Sequence, residues 1–235
     1  VAKGPEVIIF DVGDTLISVT RYERRRGIAA LLERAERFWD GDVEELVIHG
    51  TELDRELEAR CAARNLEYSQ RSFHRLLYGT FGIRFTITDA EVEQIYWNEA
   101  LEFELEPALL PALEAVRQAG YRMAIISNTT FSARVIGAEL AKQGIGDFFE
   151  MILTSADLGI RKPDTRIFHT AAGLLGVAAE KCWYVGNSAV FDVLGSSEAG
   201  MMPFWYNRYH REAHLPPGAE VFDNWARFPE LLPDG

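Results

Sequence analysis

Four short clusters hold most of the residues in this chain that could do chemistry together. The first is Asp11-Val12-Gly13-Asp14-Thr15-Leu16. The second is Ser127-Asn128-Thr129, the third Arg161-Lys162-Pro163-Asp164, and the fourth runs from Gly186-Asn187-Ser188 to Asp192. Gathered into one cleft, they would supply two carboxylates, a hydroxyl and an ammonium. Groups of these types are the usual means of nucleophilic, acid–base and charge-stabilising catalysis. Any one cluster is weak evidence, because an Asp after an apolar run is more often a turn residue or a helix cap. The argument rests on what brings all of them together.

The elements between the clusters supply that. Val7–Phe10 is a short β-branched apolar run and reads as a buried strand. Similar runs return at Tyr121–Ile126, Phe149–Leu153, Trp183–Val185 and Pro203–Tyr206. Helical patterns lie between them: Leu109–Ala119 before Gly120, Ser132–Gln143 before Gly144, and Asp164–Leu175 before Gly176. Such alternation predicts right-handed crossovers and an α/β fold with a mostly parallel, Rossmann-like sheet. Open sheets of this kind bind ligands beyond the carboxyl ends of their strands. Each of the four clusters falls at such an end.

The stretch from Ser18 to Glu106 has a different texture. It is rich in Arg, Glu and Leu, its apolar residues are spaced for helices, and its one candidate strand is Arg84–Ile87. Leu53, Leu57 and Cys61 share a face, as do Val92, Ile95 and Tyr96. Thr88-Asp89-Ala90-Glu91 fits a capping box. Residues 18–106 are therefore expected to form an α-helical insertion of about four helices, with 1–17 and 107–235 forming the core.

Composition limits the partners. The 235 residues are 48% hydrophobic and 11% aromatic, enough for a sizeable core, and the formal net charge is −12. A chain this acidic is poorly suited to nucleic acid or an anionic membrane surface. An anionic small molecule would need a local positive site, from a metal or from placed cations. No run approaches the length of a membrane span, and the opening VAKGPEVIIF lacks the pattern of a signal peptide. Cys61 and Cys182 are far apart and neither belongs to a CxxC pair, which suits a reducing compartment. The expected location is cytoplasmic.

In order and content, the four clusters resemble the four motifs of the haloacid dehalogenase superfamily, and the helical block lies where that family inserts a cap. The resemblance covers nearly the whole chain, down to Phe204–Arg208 and Val221–Asn224, which look like its fifth strand and final segment. It implies an aspartyl nucleophile at Asp11, a loop-orienting hydroxyl at Thr15, a phosphoryl-binding hydroxyl at Ser127, and a charge-neutralising ammonium at Lys162. Asp192 would be the second acidic residue of the last motif. Phosphatases of the family use Mg²⁺, so the resemblance implies a metal held by Asp11, the Gly13 carbonyl, Asn187 and Asp192. Asn128 and Arg21 are candidate substrate contacts; Arg21 opens the basic run to Arg26 and lies nearest the hinge. The implied substrate is a small anionic metabolite.

Two positions depart from the phosphatase pattern. Gly13 stands where those enzymes carry the Asp that acts as general acid and base, and Asp14, one residue on, is a possible substitute. Losing that group is expected to lower the rate by about 10²–10⁴ and to favour good leaving groups. Asn187 stands where a metal-binding Asp is usual. These losses admit a second reading, a catalytically weakened binding or regulatory protein. A third, a metal-independent dehalogenase, fits less well. Gly13 and Phe168 stand where those enzymes usually carry Tyr, and Ala189 where they carry Asn.

Overall fold

The computed structural model describes residues 4–37 and 39–233. In chain order its strands are β1 (Val7–Phe10), β2 (Ile17–Tyr22), β3 (Ala35–Arg37), β4 (Ile83–Phe85), β5 (Leu101–Leu105), β6 (Arg122–Ser127), β7 (Met151–Thr154), β8 (Cys182–Gly186), β9 (Met202–Tyr206) and β10 (Glu220–Phe222). The α-helices are α1 (Arg24–Leu32), α2 (Val43–Ala62), α3 (Gln70–Thr80), α4 (Asp89–Ala100), α5 (Leu109–Gln118), α6 (Ala133–Lys142), α7 (Ser155–Leu158), α8 (Thr165–Leu175) and α9 (Gly195–Glu198). The core is a six-stranded sheet in the order β10-β9-β8-β1-β6-β7, parallel throughout.

β1 is central because both its faces are apolar. Ile8 and Phe10 enter one core with α5, α6 and the C-terminal Trp225 and Phe228. Val7 and Ile9 enter the other, with α8. That two-faced burial is what the uninterrupted Val-Ile-Ile-Phe run encodes. Each of α5, α6 and α8 ends at or near its expected glycine. Gly176 closes α8 with φ 71°, a backbone state that side chains resist.

Register fixes the level at which the site forms. Phe10 pairs with Ile125 on one side and with Val185 on the other. Asp11, the first residue past β1, therefore emerges level with Ile126 near the end of β6 and Gly186 at the end of β8. After β1 the chain builds out to β6 and β7, then returns to β8 on the opposite flank. The strand order thus reverses beside β1, where open α/β sheets place their ligands.

Between Ile17 and Leu105 the chain leaves the sheet. The four expected helices are present as α1–α4, packed on an apolar cluster of their own that includes Ile28, Leu31, Leu46, Phe73, Leu77 and Tyr96. Thr88 and Glu91 form the expected capping box. The candidate strand at Arg84–Ile87 is present as β4, paired antiparallel with β3; the ribbon of β2 with β5 was not expected. β2 and β5 form the stalk of the excursion, so it is not wholly helical. β5 reads Leu-Glu-Phe-Glu-Leu, an alternation of period two that marks a half-buried strand. Trp97 and Phe103 stack at 4.7 Å between ring centres.

Candidate active site

Asp11 sits one residue past β1 at the base of a turn. The Val12 carbonyl accepts from the amides of Thr15, Leu16 and Ile17, which folds the loop back on itself. Thr15 is fully buried, and its hydroxyl donates to Asp11 Oδ2 at 3.1 Å. From the far end of the chain, Trp225 Nε1 donates to the Thr15 carbonyl at 2.9 Å. The loop that presents Asp11 is thus held from inside and from behind.

Lys162 reaches the same point from the loop between β7 and α8. Its Nζ donates to Asp11 Oδ1 at 2.7 Å, to Asp192 Oδ1 at 2.6 Å and to the Tyr184 hydroxyl at 2.8 Å. The Ile126 carbonyl lies at 3.4 Å from it. Asp192 is carried on a π-helical turn, Ala189–Leu194, and its other oxygen accepts from the Ser188 amide at 2.8 Å. The first, third and fourth clusters therefore meet around one ammonium.

The electrostatics follow from this burial. Burial pushes the Asp11 carboxyl up to about 6; Lys162 pulls the other way, and the nearby Asp192 adds to the rise. Burial alone would lower the Lys162 ammonium, but Asp11 and Asp192 outweigh it and hold its pKa above the ordinary value. At neutral pH Asp11 is therefore mostly ionised and Lys162 is charged.

The cluster opens into a cavity of about 250 Å³. Of the residues expected at the site, Asp11, Gly13, Asn128, Lys162, Asn187 and Asp192 line it. Ser127 ends β6 and is buried beside the cluster, but it is not among the lining residues. A Cβ built on Gly13 meets nothing within 4 Å, so this position is open.

Asn128 lines the cavity and also clamps the backbone that carries the lysine: one N–H of Nδ2 donates to the Lys162 carbonyl at 2.9 Å, and Oδ1 accepts from the Lys162 amide at 2.8 Å. Two expectations need correction. Arg21 does not line the cavity; it lies on strand β2 and pairs with Glu102 across the β2–β5 ribbon. Asp14 does not line it either. It adopts φ 53° and accepts from the Ser18 hydroxyl at 2.9 Å, away from the open space at Gly13.

Two residues at the site were missed. Tyr184 alternates inward from β8; it receives a bond from Lys162 and donates to the Ile126 carbonyl at 3.0 Å. A lone Tyr within an apolar strand was the available signal. Arg161 also lines the cavity, and its position next to Lys162 was in plain view. Phe168, weighed as a halide-site position, is fully buried against Tyr184 and takes no part.

A parallel sheet of this order, with an aspartate and a lysine meeting at its strand ends, defines a hydrolase-type α/β site. The profile of the haloacid dehalogenase-like hydrolases matches residues 5–200, and the chain belongs to that family. It is a hydrolase of the haloacid dehalogenase superfamily with phosphatase relatives. It is 27% identical to a glyceraldehyde 3-phosphate phosphatase of Methanopyrus kandleri, over 84% of this chain and 82% of that one. It is 30% identical to a phosphoserine phosphatase of Thermus thermophilus, over 50% of this chain and only 47% of the relative, so it spans about half that protein's length. Its backbone resembles a 2-haloacid dehalogenase from Pseudomonas syringae pv. Tomato with a TM-score of 0.66 at 22% identity, covering 97% of both chains; this likeness speaks to fold alone. Among the described residues, no helix is long and apolar enough to cross a membrane.

Proposed function

We propose that this hydrolase is a Mg²⁺-dependent phosphatase of small phosphorylated metabolites, working through an aspartyl-phosphate on Asp11. The observation that carries this reading is the Asp11–Lys162–Asp192 cluster at the mouth of a polar cavity, with every oxygen oriented by a named donor. The phosphatase relatives favour phosphorus over carbon as the centre attacked.

Asp11 would attack in line, its loop already held by Thr15 and Trp225, so little reorganisation accompanies the step. Lys162 keeps the two carboxylates together and stops them repelling one another. Ser127, at the end of β6, would donate to a phosphoryl oxygen. Gly13 offers no proton to the departing oxygen, so phosphates with stable leaving groups (acyl, aryl, sugar-1-phosphates) should be favoured over simple alkyl phosphates. The insertion would close over the cavity, exclude water and select the substrate.

The donor set suits the metal in chemistry. The Asp11 and Asp192 carboxylates, the Gly13 carbonyl and the Asn187 side chain would hold Mg²⁺; all are hard oxygen donors, and all four residues line one cavity. Among the described residues, no group of three or more His, Cys, Asp or Glu could hold a metal. The neutral Asn187 and the Lys162 ammonium both reduce the attraction for a cation, so binding should be weak. When bound, the ion supplies positive charge against the transferring phosphoryl oxygens.

The test is release of phosphate from an aryl phosphate, with and without Mg²⁺, by the parent chain and by Asp11→Asn. Metal-dependent turnover lost in the variant is the expected result. Silence across a broad panel of phosphates would instead favour the weakened binding protein that Gly13 and Asn187 allow.

A further inference from the structure

The phosphatase reading leaves one question open: which of the chain's own cations, beside the metal, receives the substrate. An ammonium has three N–H donors. Lys162 has four acceptors within 3.4 Å of Nζ: Asp11, Asp192, the Tyr184 hydroxyl and the Ile126 carbonyl. It has no donor left for a ligand, and the carboxylates on either side already balance its charge. The rest of the chain offers no general attraction for anions, since the net charge is −12.

Arg161 is the other cation among the described residues lining the cavity. Its Nη1 donates to both oxygens of Glu58 on α2, at 2.8 and 2.9 Å, and Glu67 lies at 3.7 Å from Nε. Glu58 lines a second cavity, of about 460 Å³, whose wall includes Tyr22, Tyr68 and Phe131. The ion pair therefore reaches from one cavity to the other. Its backbone frame is fixed independently of the side chain: the Arg161 amide donates to the Asn65 carbonyl at 2.9 Å, and the Glu67 amide to the Gly159 carbonyl at 3.1 Å. The guanidinium can change partners while its Cα stays in place.

We propose that Arg161 is the residue that binds the substrate's phosphoryl group, and that Glu58 is a competitor holding this guanidinium until the phosphate displaces it; this rests on the phosphatase reading of the same site. A guanidinium suits the task because its planar fork matches two phosphoryl oxygens at once. Glu58 sets the affinity: the incoming dianion must outbid one carboxylate, which disfavours monoanionic ligands of similar shape. Release of Glu58 also turns a free carboxylate towards the cavity where the remainder of the substrate would lie.

The experiment measures binding of inorganic phosphate to the full chain by calorimetry, in the parent and in two variants, alongside KM and kcat for an aryl phosphate. Arg161→Gln should weaken phosphate binding about tenfold or more, the loss of a charge-assisted pair of bonds. Glu58→Gln should tighten it severalfold and lower KM, because the competitor is gone while the half-exposed helix surface is kept. A merely structural ion pair would predict the same direction for both variants. If Arg161→Gln fails to fold, Glu58→Gln decides alone: unchanged or weaker phosphate binding overturns the proposal, as does a parent chain that binds no phosphate. Turnover that depends on Asp11 while phosphate binding ignores both substitutions sinks this inference and spares the phosphatase reading. Arg161-dependent binding without Asp11-dependent turnover does the reverse.

Discussion

Two buried carboxylates in this molecule live by different rules. Asp11 shares one ammonium with Asp192 and faces a cavity. Glu93 on α4 is sealed: Oε1 accepts from the Ser132 amide at 2.8 Å, and Oε2 from the Ser132 hydroxyl at 2.8 Å and from Arg71 Nε at 2.7 Å. Ser132 is the N-cap residue of α6, so Glu93 ties the insertion to the core. The Asp11 cluster keeps an open side where a ligand can enter. The Glu93 cluster has none, and its bonds hold two parts of the fold together. A buried charge alone does not mark a catalytic group; an open side next to it does.

The largest effect should come from Lys162→Met. It leaves two carboxylates buried together without their cation, which costs about 3–5 kcal/mol for a broken buried pair. Urea unfolding should show that loss, and turnover should vanish with it. Destabilisation without loss of turnover would mean the cluster is structural, like that of Glu93.

Glu93→Ala gives the opposite pattern. It strands Arg71 and the Ser132 amide at a cost of about 2–4 kcal/mol. The kcat at saturating substrate should stay within a few-fold, since no cavity residue changes. A collapse of kcat at unchanged stability would erase the distinction between the two clusters.

Gly13→Asp sharpens the open side. A Cβ there meets nothing, and the residue is not at positive φ, so the side chain enters free space in the cavity wall. Supplying the missing acid should raise kcat on alkyl phosphates by about 10–10². Thermal unfolding should shift little. A variant that folds normally and gains nothing would show that Gly13 is not where the leaving oxygen departs.

The same contrast explains what the sequence could reveal. Strand β1 is apolar on both faces and each helix in the core ends near a glycine, so the sheet was readable, and with it the convergence of Asp11, Lys162 and Asp192. The partners of the polar groups were not readable. Asn128 lines the cavity as a substrate contact would, but its side chain also pairs with the Lys162 backbone, a link between loops that no local pattern encodes. Arg21 looked like a hinge cation in a basic run, but that run starts on a strand, and its position there pairs it with Glu102. Glu93 gave no signal at all. An acid on an amphipathic helix reads as surface unless the facing cap residue is known.

The effect that is smallest per pH unit is one of protonation, and it separates the two regions by sign. His74 on α3 is buried in the insertion, and burial with help from Arg24 lowers its pKa from 6.5 to about 3. Between those values the unfolded chain holds a proton that the folded chain refuses, so stability falls as the pH drops from 6.5 towards 3. The slope for one proton is about 1.4 kcal/mol per pH unit. Asp11 works in the other direction: burial raises it from 3.8 to about 6, so the folded chain gains its proton first, and stability rises as the pH falls from 6 towards 3.8. With Mg²⁺ chelated, His74→Leu should therefore flatten the acid-side loss of stability, and Asp11→Asn should steepen it. Equal slopes in the parent and both variants would mean that neither group keeps its buried protonation state, and that acid opens the insertion and the site alike before either titrates.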